Sequence, residues 1–181
     1  MKNKRVGYGP IIVYTGGGKG KTTAALGLSL RAVGYQHRVV MIQFIKGSWH
    51  YGERDSAKFL APYFKLLPMG KGFVGILDDR LPRSVHVRVA QETLVKARKL
   101  MLSGKLQMLI CDEINYALQM KLLKLKDVLA FIDAKPDPLT LVLTGNGAHA
   151  QVVKRADLVT EMREIKHPFQ QGIPAKKGVD F

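Results

Sequence analysis

The chain has 181 residues, enough for one domain with a substantial core, and its hydrophobic content of 46% is ordinary for a globular protein. Its charge is unusual, because 29 Lys and Arg residues against 14 Asp and Glu residues give a formal net charge of +15. This excess predicts attraction to an anionic ligand or surface, but it does not choose among nucleotides, nucleic acids, anionic lipids and acidic proteins. The single cysteine, Cys111, excludes an intramolecular disulfide framework and suits a reducing compartment.

The sequence contains no recognisable targeting or membrane-spanning segment. The apolar run after the basic N-terminus is too short for a signal peptide, and no apolar stretch is long enough to cross a membrane. We therefore expect a cytoplasmic protein without a membrane span.

Strands alternate with helices along the chain, which predicts an α/β fold with a mostly parallel central sheet. The predicted strands are 11–14, 38–44, 64–67, 108–112, 140–144 and 158–162. The predicted helices are 21–33, 56–60, 84–102, 125–134 and 149–155, with Ser84 as the N-cap of the third. Residues 1–181 are expected to form a single domain, in which the aperiodic segment 163–181 is a flexible end or a lid.

A glycine-rich segment, TGGGKGKTT at 15–23, joins the first predicted strand to the first predicted helix. Strand, Gly-Lys-Thr and helix in this order are typical of a P-loop, where backbone N–H groups and a helix N-terminus bind phosphate. Lys21 is expected to contact phosphate oxygens, and Thr22 to offer its hydroxyl to a phosphate-bound Mg²⁺. The spacing is one residue short of the usual motif, because Thr15 stands where a glycine is required. A glycine-rich hairpin tip, or a basic turn without a ligand, is the alternative.

Two carboxylates, Asp112 and Glu113, end the fourth predicted strand. In a P-loop fold this position supplies the second half of a Mg²⁺ site, completed by Thr22, phosphates and water. A solvated acidic turn is the alternative.

Other chemistries have little support in the sequence. The five histidines show no metal-ligand spacing with one another or with Cys111, and the Gly-x-Ser-x-Gly motif of hydrolases is absent. No basic stretch carries interleaved aromatic residues, so a base-stacking platform for nucleic acid is not expected.

The segment 12–25, IVYTGGGKGKTTAA, resembles the P-loop of the corrinoid adenosyltransferases of bacterial cobalamin synthesis and salvage. The similarity continues, in order and over nearly the whole chain, through LRAVG at 30–34, QFIKG at 43–47, GER at 52–54, MGKGF at 69–73, DEINY at 112–116, LTG at 143–145, ADLVTEMR at 156–163, KH at 166–167 and KGVDF at 177–181. This combination is far more specific than a P-loop alone.

The resemblance implies a three-layer, RecA-like P-loop NTPase fold and an enzyme that transfers the 5′-deoxyadenosyl group of ATP to a corrinoid. Such enzymes bind ATP in a reversed sense, a Co(I) centre attacks the 5′-carbon, and inorganic triphosphate leaves. The resemblance further implies ATP as co-substrate, Mg²⁺ or Mn²⁺ as the metal, and a homodimer. It also implies a reduced corrinoid as substrate and a flavoprotein reductant such as a flavodoxin, while nucleic acid is not an expected partner.

The resemblance also assigns residues, of which Lys21, Thr22 and Glu113 are the expected catalytic ones. The expected ATP-binding residues are Gly16, Gly17, Gly18, Lys19, Gly20, Lys21, Thr22, Thr23 and Arg31. Thr22 and Glu113 are expected to bind Mg²⁺, with Asp112 supporting them from behind. Phe73 and Gly75 are the expected corrinoid contacts.

Four positions depart from the family pattern. Gly17 replaces a common asparagine, Gly75 a tryptophan, Asn146 an arginine and Lys176 a glutamine. The change at Gly75 puts the corrinoid site in question, so a relative that stores or delivers the corrinoid without catalysis is one alternative. A small-molecule kinase or NTPase, and a nucleic-acid-stimulated ATPase, are the others.

Overall fold

The computed structural model describes residues 7–47, 49–72, 74–75 and 79–181. Within these ranges six strands form one sheet, every pair is parallel, and the strand order is β3-β2-β4-β5-β1-β6. The strands are β1 Ile11–Thr15, β2 Val39–Gln43, β3 Phe64–Pro68, β4 Met108–Asp112, β5 Thr140–Thr144 and β6 Leu158–Glu161. The predicted α/β fold with a parallel central sheet is confirmed.

Helices cover both faces of this sheet, which makes three layers. The helices are α1 Lys21–Gly34, α2 Gly52–Phe59, α3 Arg83–Met101, α4 Ile114–Gln119, α5 Leu125–Asp133 and α6 Ala150–Arg155, and a 3₁₀ turn spans Pro168–Gln171. Helices α1 and α2 pack on one face, and α3 to α6 pack on the other. No helix in the described part of the chain is long and apolar enough to cross a membrane.

The four central strands, β1, β2, β4 and β5, are buried on both faces because they are apolar at nearly every position, whereas the edge strand β6 is exposed. Alternate residues of the strands supply the two cores: Ile12 and Met41 face α1, whereas Val13 and Ile42 face α3 and α5. Cys111 belongs to the second core, where burial raises the pKa of its thiol. This position suits a structural cysteine.

Three local predictions were wrong. Helix α3 begins before Ser84, with Pro82 at the N-cap, because the Pro82 carbonyl accepts the first turn's hydrogen bond from the Val85 N–H at 2.9 Å. Helix α2 begins at Gly52 rather than at residue 56. Helix α4 is the third difference, since no helix was predicted between the fourth strand and residue 125.

The strand order brings the turn after β1 and the carboxylates after β4 to the same edge of the sheet. β5 lies between β1 and β4, so the turn after β1 and the carboxylates after β4 are separated by one strand. Neighbouring strands are about 4.8 Å apart, which places these two features about 10 Å apart at the carboxyl end of the sheet. Ligands of open α/β sheets bind at such an edge.

At the opposite edge, Lys135 ties the segment before β1 to the connection between α5 and β5. Its ammonium group lies within hydrogen-bonding distance of the carbonyl oxygens of Gly9 (2.7 Å), Pro136 and Leu139 (both 2.9 Å) and Asp137 (3.2 Å). Burial lowers the pKa of this ammonium, and the charges of acidic neighbours partly offset that effect. Hydrogen bonds from a charged donor contribute more than neutral ones, so this contact is expected to stabilise the fold.

We predict that Lys135→Met destabilises the protein by about 2–3 kcal/mol, because it removes a charged donor and leaves its carbonyl acceptors without that partner. Urea unfolding monitored by circular dichroism measures the change. Lys126→Met, on the exposed side of α5, is the matched control and is expected to change the free energy of unfolding by less than about 0.5 kcal/mol. Equal stability of the two variants would contradict this role for Lys135.

Candidate active site

A cavity of about 960 Å³ opens at the carboxyl edge of the sheet. Its walls come from the turn after β1, residues 21–30 of α1, helix α2 and residues 178–181. Lys46, Glu113 and Asn146 join the lining from the loops after β2, β4 and β5, and Phe64 joins it from the start of β3.

The turn between β1 and α1 favours glycine at three positions, of which Gly20 has φ of +111°. Gly16 has φ of +97°, and a Cβ there would lie 2.3 Å from the carbonyl oxygen of Met162. A Cβ on Gly18 would lie 2.7 Å from the carbonyl carbon of Arg163. The Gly18 N–H donates to the Met162 carbonyl oxygen at 2.8 Å. The chain after β6 therefore supports the turn from behind.

Lys21 is the central cation of this turn. Its side chain folds back so that Nζ donates to the carbonyl oxygens of Gly16 and Gly18, both at 2.8 Å. Burial lowers the pKa of the ammonium, and the nearby carboxylates of Glu113 and Asp112 partly offset that effect. The charged group is thus already held at the mouth of the turn, where it can exchange carbonyl oxygens for the oxygens of an anion.

Asp112 is fully buried and accepts hydrogen bonds from three elements. The hydroxyls of Thr22 and Thr144 donate to its Oδ1 at 2.9 and 2.7 Å, and Nε2 of Gln43 donates to its Oδ2 at 3.1 Å. These donors offset the cost of burying the charge. Because the Thr22 hydroxyl donates its proton to Asp112, its lone pairs remain available to a cation on the cavity side.

Glu113 follows in the left-handed region, with φ of +62°. Such a conformation costs a non-glycine residue roughly 1–2 kcal/mol, and the backbone N–H of Glu113 donates to the Thr144 hydroxyl oxygen at 2.9 Å. Burial and the charge of Asp112 raise the pKa of Glu113 to about 7, although Lys21 and Lys46 act in the opposite direction. The strained backbone and the burial together place a carboxyl group in the wall of the cavity.

These residues fit a magnesium site of the P-loop kind. Among the described residues, no cluster of three or more His, Cys, Asp or Glu side chains could hold a metal ion alone. A Thr22 hydroxyl with free lone pairs and the Glu113 carboxylate nearby suit Mg²⁺, which takes few protein ligands and keeps water and phosphate oxygens.

A second charged pair lies in the same wall. Lys46 Nζ is 2.6 Å from Glu53 Oε1 and 4.4 Å from the centre of the Tyr51 ring. Burial alone would raise the pKa of Glu53, but the hydrogen bond and charge of Lys46 outweigh it, so that pKa lies below its usual value. Neither residue was singled out as functional from the sequence.

The structure brings most predicted site residues together. Gly17, Gly18, Lys19, Gly20, Lys21, Thr22, Thr23 and Glu113 all line the cavity, and Gly16 and Asp112 support it from behind. Arg31 lies exposed in the last turn of α1 and is not among the lining residues. Gly75, also outside the lining, has φ of +70° and its N–H donates to Asp79 Oδ2 at 2.7 Å, whereas Phe73 lies outside the described residues.

Two supporting residues were missed by sequence reasoning. Gln43 and Thr144 are the last residues of β2 and β5, and both contact Asp112. The available signal was a polar residue at the end of an otherwise apolar strand. That signal could be used only once the strand order was known, because β2 and β5 are the two neighbours of β4.

Residues 8–181 match a family model described as ATP:corrinoid adenosyltransferase BtuR/CobO/CobP. The corrinoid adenosyltransferase of Escherichia coli K12 is 36% identical over 173 residues, which cover 96% of this chain and 86% of that protein. The corrinoid adenosyltransferase of a Sinorhizobium species is 38% identical over 183 residues, covering 100% of this chain and 84% of that protein.

Solved structures support the fold. The flagellar accessory protein FlaH from Methanocaldococcus jannaschii superposes with a TM-score of 0.54 at 12% identity, covering 85% of this chain and 71% of that one. A KaiC-like protein from Pyrococcus horikoshii superposes with a TM-score of 0.52 at 17% identity, covering 88% and 75%. At these identities the likeness concerns the fold alone, and it agrees with the predicted P-loop NTPase fold.

We predict that Glu113→Gln stabilises the metal-free protein at pH 8 but not at pH 5. The pKa of this carboxyl is raised from its ordinary value of 4.5 to about 7 in the folded state. The folded protein therefore loses stability as the pH rises from 4.5, and the loss is complete above pH 7. The gain at pH 8 is expected at roughly 1–3 kcal/mol. Urea unfolding in EDTA at both pH values measures it.

Glu92→Gln, on the exposed face of α3, is the control and is expected to show no comparable difference between the two pH values. If Glu113→Gln is destabilised equally at pH 5 and pH 8, ionisation of the buried Glu113 carboxyl does not destabilise the fold.

Proposed function

The chain belongs to the ATP:corrinoid adenosyltransferase family, and we propose that it transfers the 5′-deoxyadenosyl group of ATP to the Co(I) centre of a reduced corrinoid. Inorganic triphosphate is the second product. One observation carries the proposal: the family match runs from residue 8 to residue 181 and includes the residues that line the cavity. The relatives named above align with 96% and 100% of this chain, so the proposed activity accounts for the whole aligned length.

The reaction is a substitution at the 5′-carbon of the ribose. An electron pair on cobalt forms the Co–C bond, the bond between the 5′-carbon and its oxygen breaks, and the electron pair of that bond leaves with triphosphate. Since the metal-centred electron pair is the nucleophile, the protein needs no side-chain base to activate it. Its task is to hold ATP in one orientation and to stabilise the charge that develops on the departing polyanion.

The turn after β1 is suited to that task. In our proposal Lys21 exchanges the carbonyl oxygens of Gly16 and Gly18 for phosphate oxygens, while backbone N–H groups and the N-terminus of α1 supply further donors. These donors are fixed by the fold before ATP arrives, so little reorganisation is needed when the bond breaks.

We propose Mg²⁺, or Mn²⁺, as the ion held by Thr22 and Glu113 together with the phosphates. When bound, the ion neutralises phosphate charge and so improves triphosphate as a leaving group. Asp112 accepts a hydrogen bond from the Thr22 hydroxyl and so fixes its orientation. Thr144 holds Asp112 and the backbone of Glu113 at the same time.

The finer assignments are also proposals. Phe73 and Gly75 are proposed to contact the corrinoid, and the Gly75 position has room, because a Cβ there would have no described atom within 4 Å. Arg31 is proposed to contact the nucleotide. A cytoplasmic homodimer supplied with electrons by a flavoprotein such as a flavodoxin completes the proposal, and the net charge of +15 favours an acidic donor.

We predict that the protein, mixed with Mg-ATP and chemically reduced cob(I)alamin, forms a light-sensitive cobalt–carbon product and inorganic triphosphate in equal amounts. Absorbance spectra before and after illumination follow the corrinoid, and ion-exchange chromatography separates triphosphate from ADP and phosphate. Release of ADP would instead support a kinase or NTPase. A folded protein that binds ATP but gives no light-sensitive product would overturn the proposed activity.

We predict that Thr144→Val lowers kcat by about 10- to 100-fold and raises the Mg²⁺ concentration needed for half-maximal rate, because it removes the hydroxyl that joins Asp112 to Glu113. Rates measured over a Mg²⁺ titration test this. Thr160→Val, on the exposed strand β6, is the matched control and is expected to keep the wild-type rate. If folded Thr144→Val keeps kcat within twofold of wild type, Thr144 has no positioning role.

A further inference from the structure

The segment that follows β6 returns to the cavity and ends against the phosphate-binding turn. Residues 163–181 are exposed except for the half-buried His167. They contain one 3₁₀ turn, Pro168–Gln171, and a second turn at 176–181, here called the 176–181 turn. Four residues of this second turn, 178–181, line the cavity that contains Lys19 and Lys21. The end of the chain and the proposed triphosphate site therefore share one space.

An ion pair joins the two. Lys19 of the phosphate-binding turn pairs with the Asp180 carboxylate. The Asp180 side chain is 21% exposed, and the Lys19 side chain is 51% exposed. The anion that meets Lys19 in this structure is thus supplied by the chain itself.

The 176–181 turn holds Asp180 in this position. The backbone N–H of Lys176 donates to Asp180 Oδ2 at 2.7 Å, and the backbone N–H of Asp180 donates to the Lys176 carbonyl oxygen at 2.8 Å. The Gly178 N–H donates to the carbonyl oxygen of Phe181 at 2.9 Å, with Gly178 at φ of +81°. These local hydrogen bonds hold the Asp180 carboxylate so that its other oxygen, Oδ1, faces Lys19.

The 176–181 turn is weakly attached to the rest of the fold. Val179 is 71% exposed and Phe181 is 45% exposed, although both line the cavity. Few buried apolar contacts mean a low free energy of local opening. The turn can therefore leave the cavity without disturbing the sheet.

From this arrangement we propose that Asp180 competes with polyphosphate for Lys19, so that the 176–181 turn is displaced when ATP binds and returns when triphosphate leaves. A carboxylate in the cavity repels a polyanion, and its own bond to Lys19 must break before a phosphate can take that cation. Re-formation of the pair assists release of triphosphate, a product that carries the same charged group as the substrate. This inference rests on the proposed function, because it assumes that the cavity binds polyphosphate.

The opposite role, a lid whose Asp180 helps to retain the nucleotide, gives effects of the opposite sign. Equilibrium binding of Mg-ATP and of inorganic triphosphate, each without corrinoid, separates the two. We expect Asp180→Asn to bind both ligands about 3- to 10-fold more tightly than wild type, with slower dissociation of triphosphate. The effect should shrink at high salt, because it is a charge effect between exposed groups.

Asp127→Asn, in the exposed first turn of α5, makes the same charge change away from the cavity and is expected to leave both affinities unchanged within twofold. Lys19→Ala should weaken binding, and in the Lys19→Ala background Asp180→Asn should have a smaller effect than in wild type. Thermal unfolding of each variant confirms that it is folded.

Unchanged or weaker binding by folded Asp180→Asn would overturn the inference, and weaker binding would support a lid. If wild type binds Mg-ATP tightly and Asp180→Asn binds it with the same affinity, only this inference is contradicted. Failure of wild type to bind either ligand would instead count against the proposed function itself.

Discussion

Concentrated positive potential in the turn between β1 and α1 is the constraint on which the rest of the site depends. Lys19, Lys21 and the N-terminus of α1 line one concavity. The chain itself supplies the partners of both lysines in the structure: the carbonyl oxygens of Gly16 and Gly18 accept from Lys21, and Asp180 pairs with Lys19. A polyanion therefore gains its contacts by exchange, and the net affinity is the difference between two sets of charged interactions.

The opposite wall of the site depends on one buried carboxylate. Asp112 is held by donors from α1, β2 and β5, so it connects the Thr22 hydroxyl to both strands that flank β4. The next residue, Glu113, carries a left-handed backbone and a carboxyl with a raised pKa. Both features cost stability in the absence of a metal, and they are concentrated where the proposed ion would bind.

Much of this fold could be predicted from the sequence because its strands are apolar at nearly every position and alternate with helices. The phosphate-binding turn was equally visible, since strand, Gly-Lys-Thr and helix appear in order. The strand order was not, because uniformly apolar strands carry little information about which neighbour they pair with. Without it the contributions of Gln43 and Thr144 to Asp112 could not be seen.

The segment after β6 shows a second limit. It has no period and almost no buried residue, so no pattern in the sequence indicates that Asp180 reaches Lys19. Two sets of contacts hold this segment. Met162 and Arg163 pack behind the turn between β1 and α1, and local hydrogen bonds shape the 176–181 turn. Arg31 differs in the opposite way. The family resemblance predicts that it contacts ATP, but in this structure it lies outside the cavity lining.

The central claim is that this site binds the triphosphate of ATP as the leaving group, so that the bond between the 5′-carbon and its oxygen breaks. ATP labelled with oxygen-18 at the atom joining the 5′-carbon to the α-phosphorus tests it most directly. After turnover with reduced corrinoid, mass spectrometry should find the label in inorganic triphosphate. Label retained on the nucleoside product would mean that a phosphorus–oxygen bond had broken, and would contradict the account.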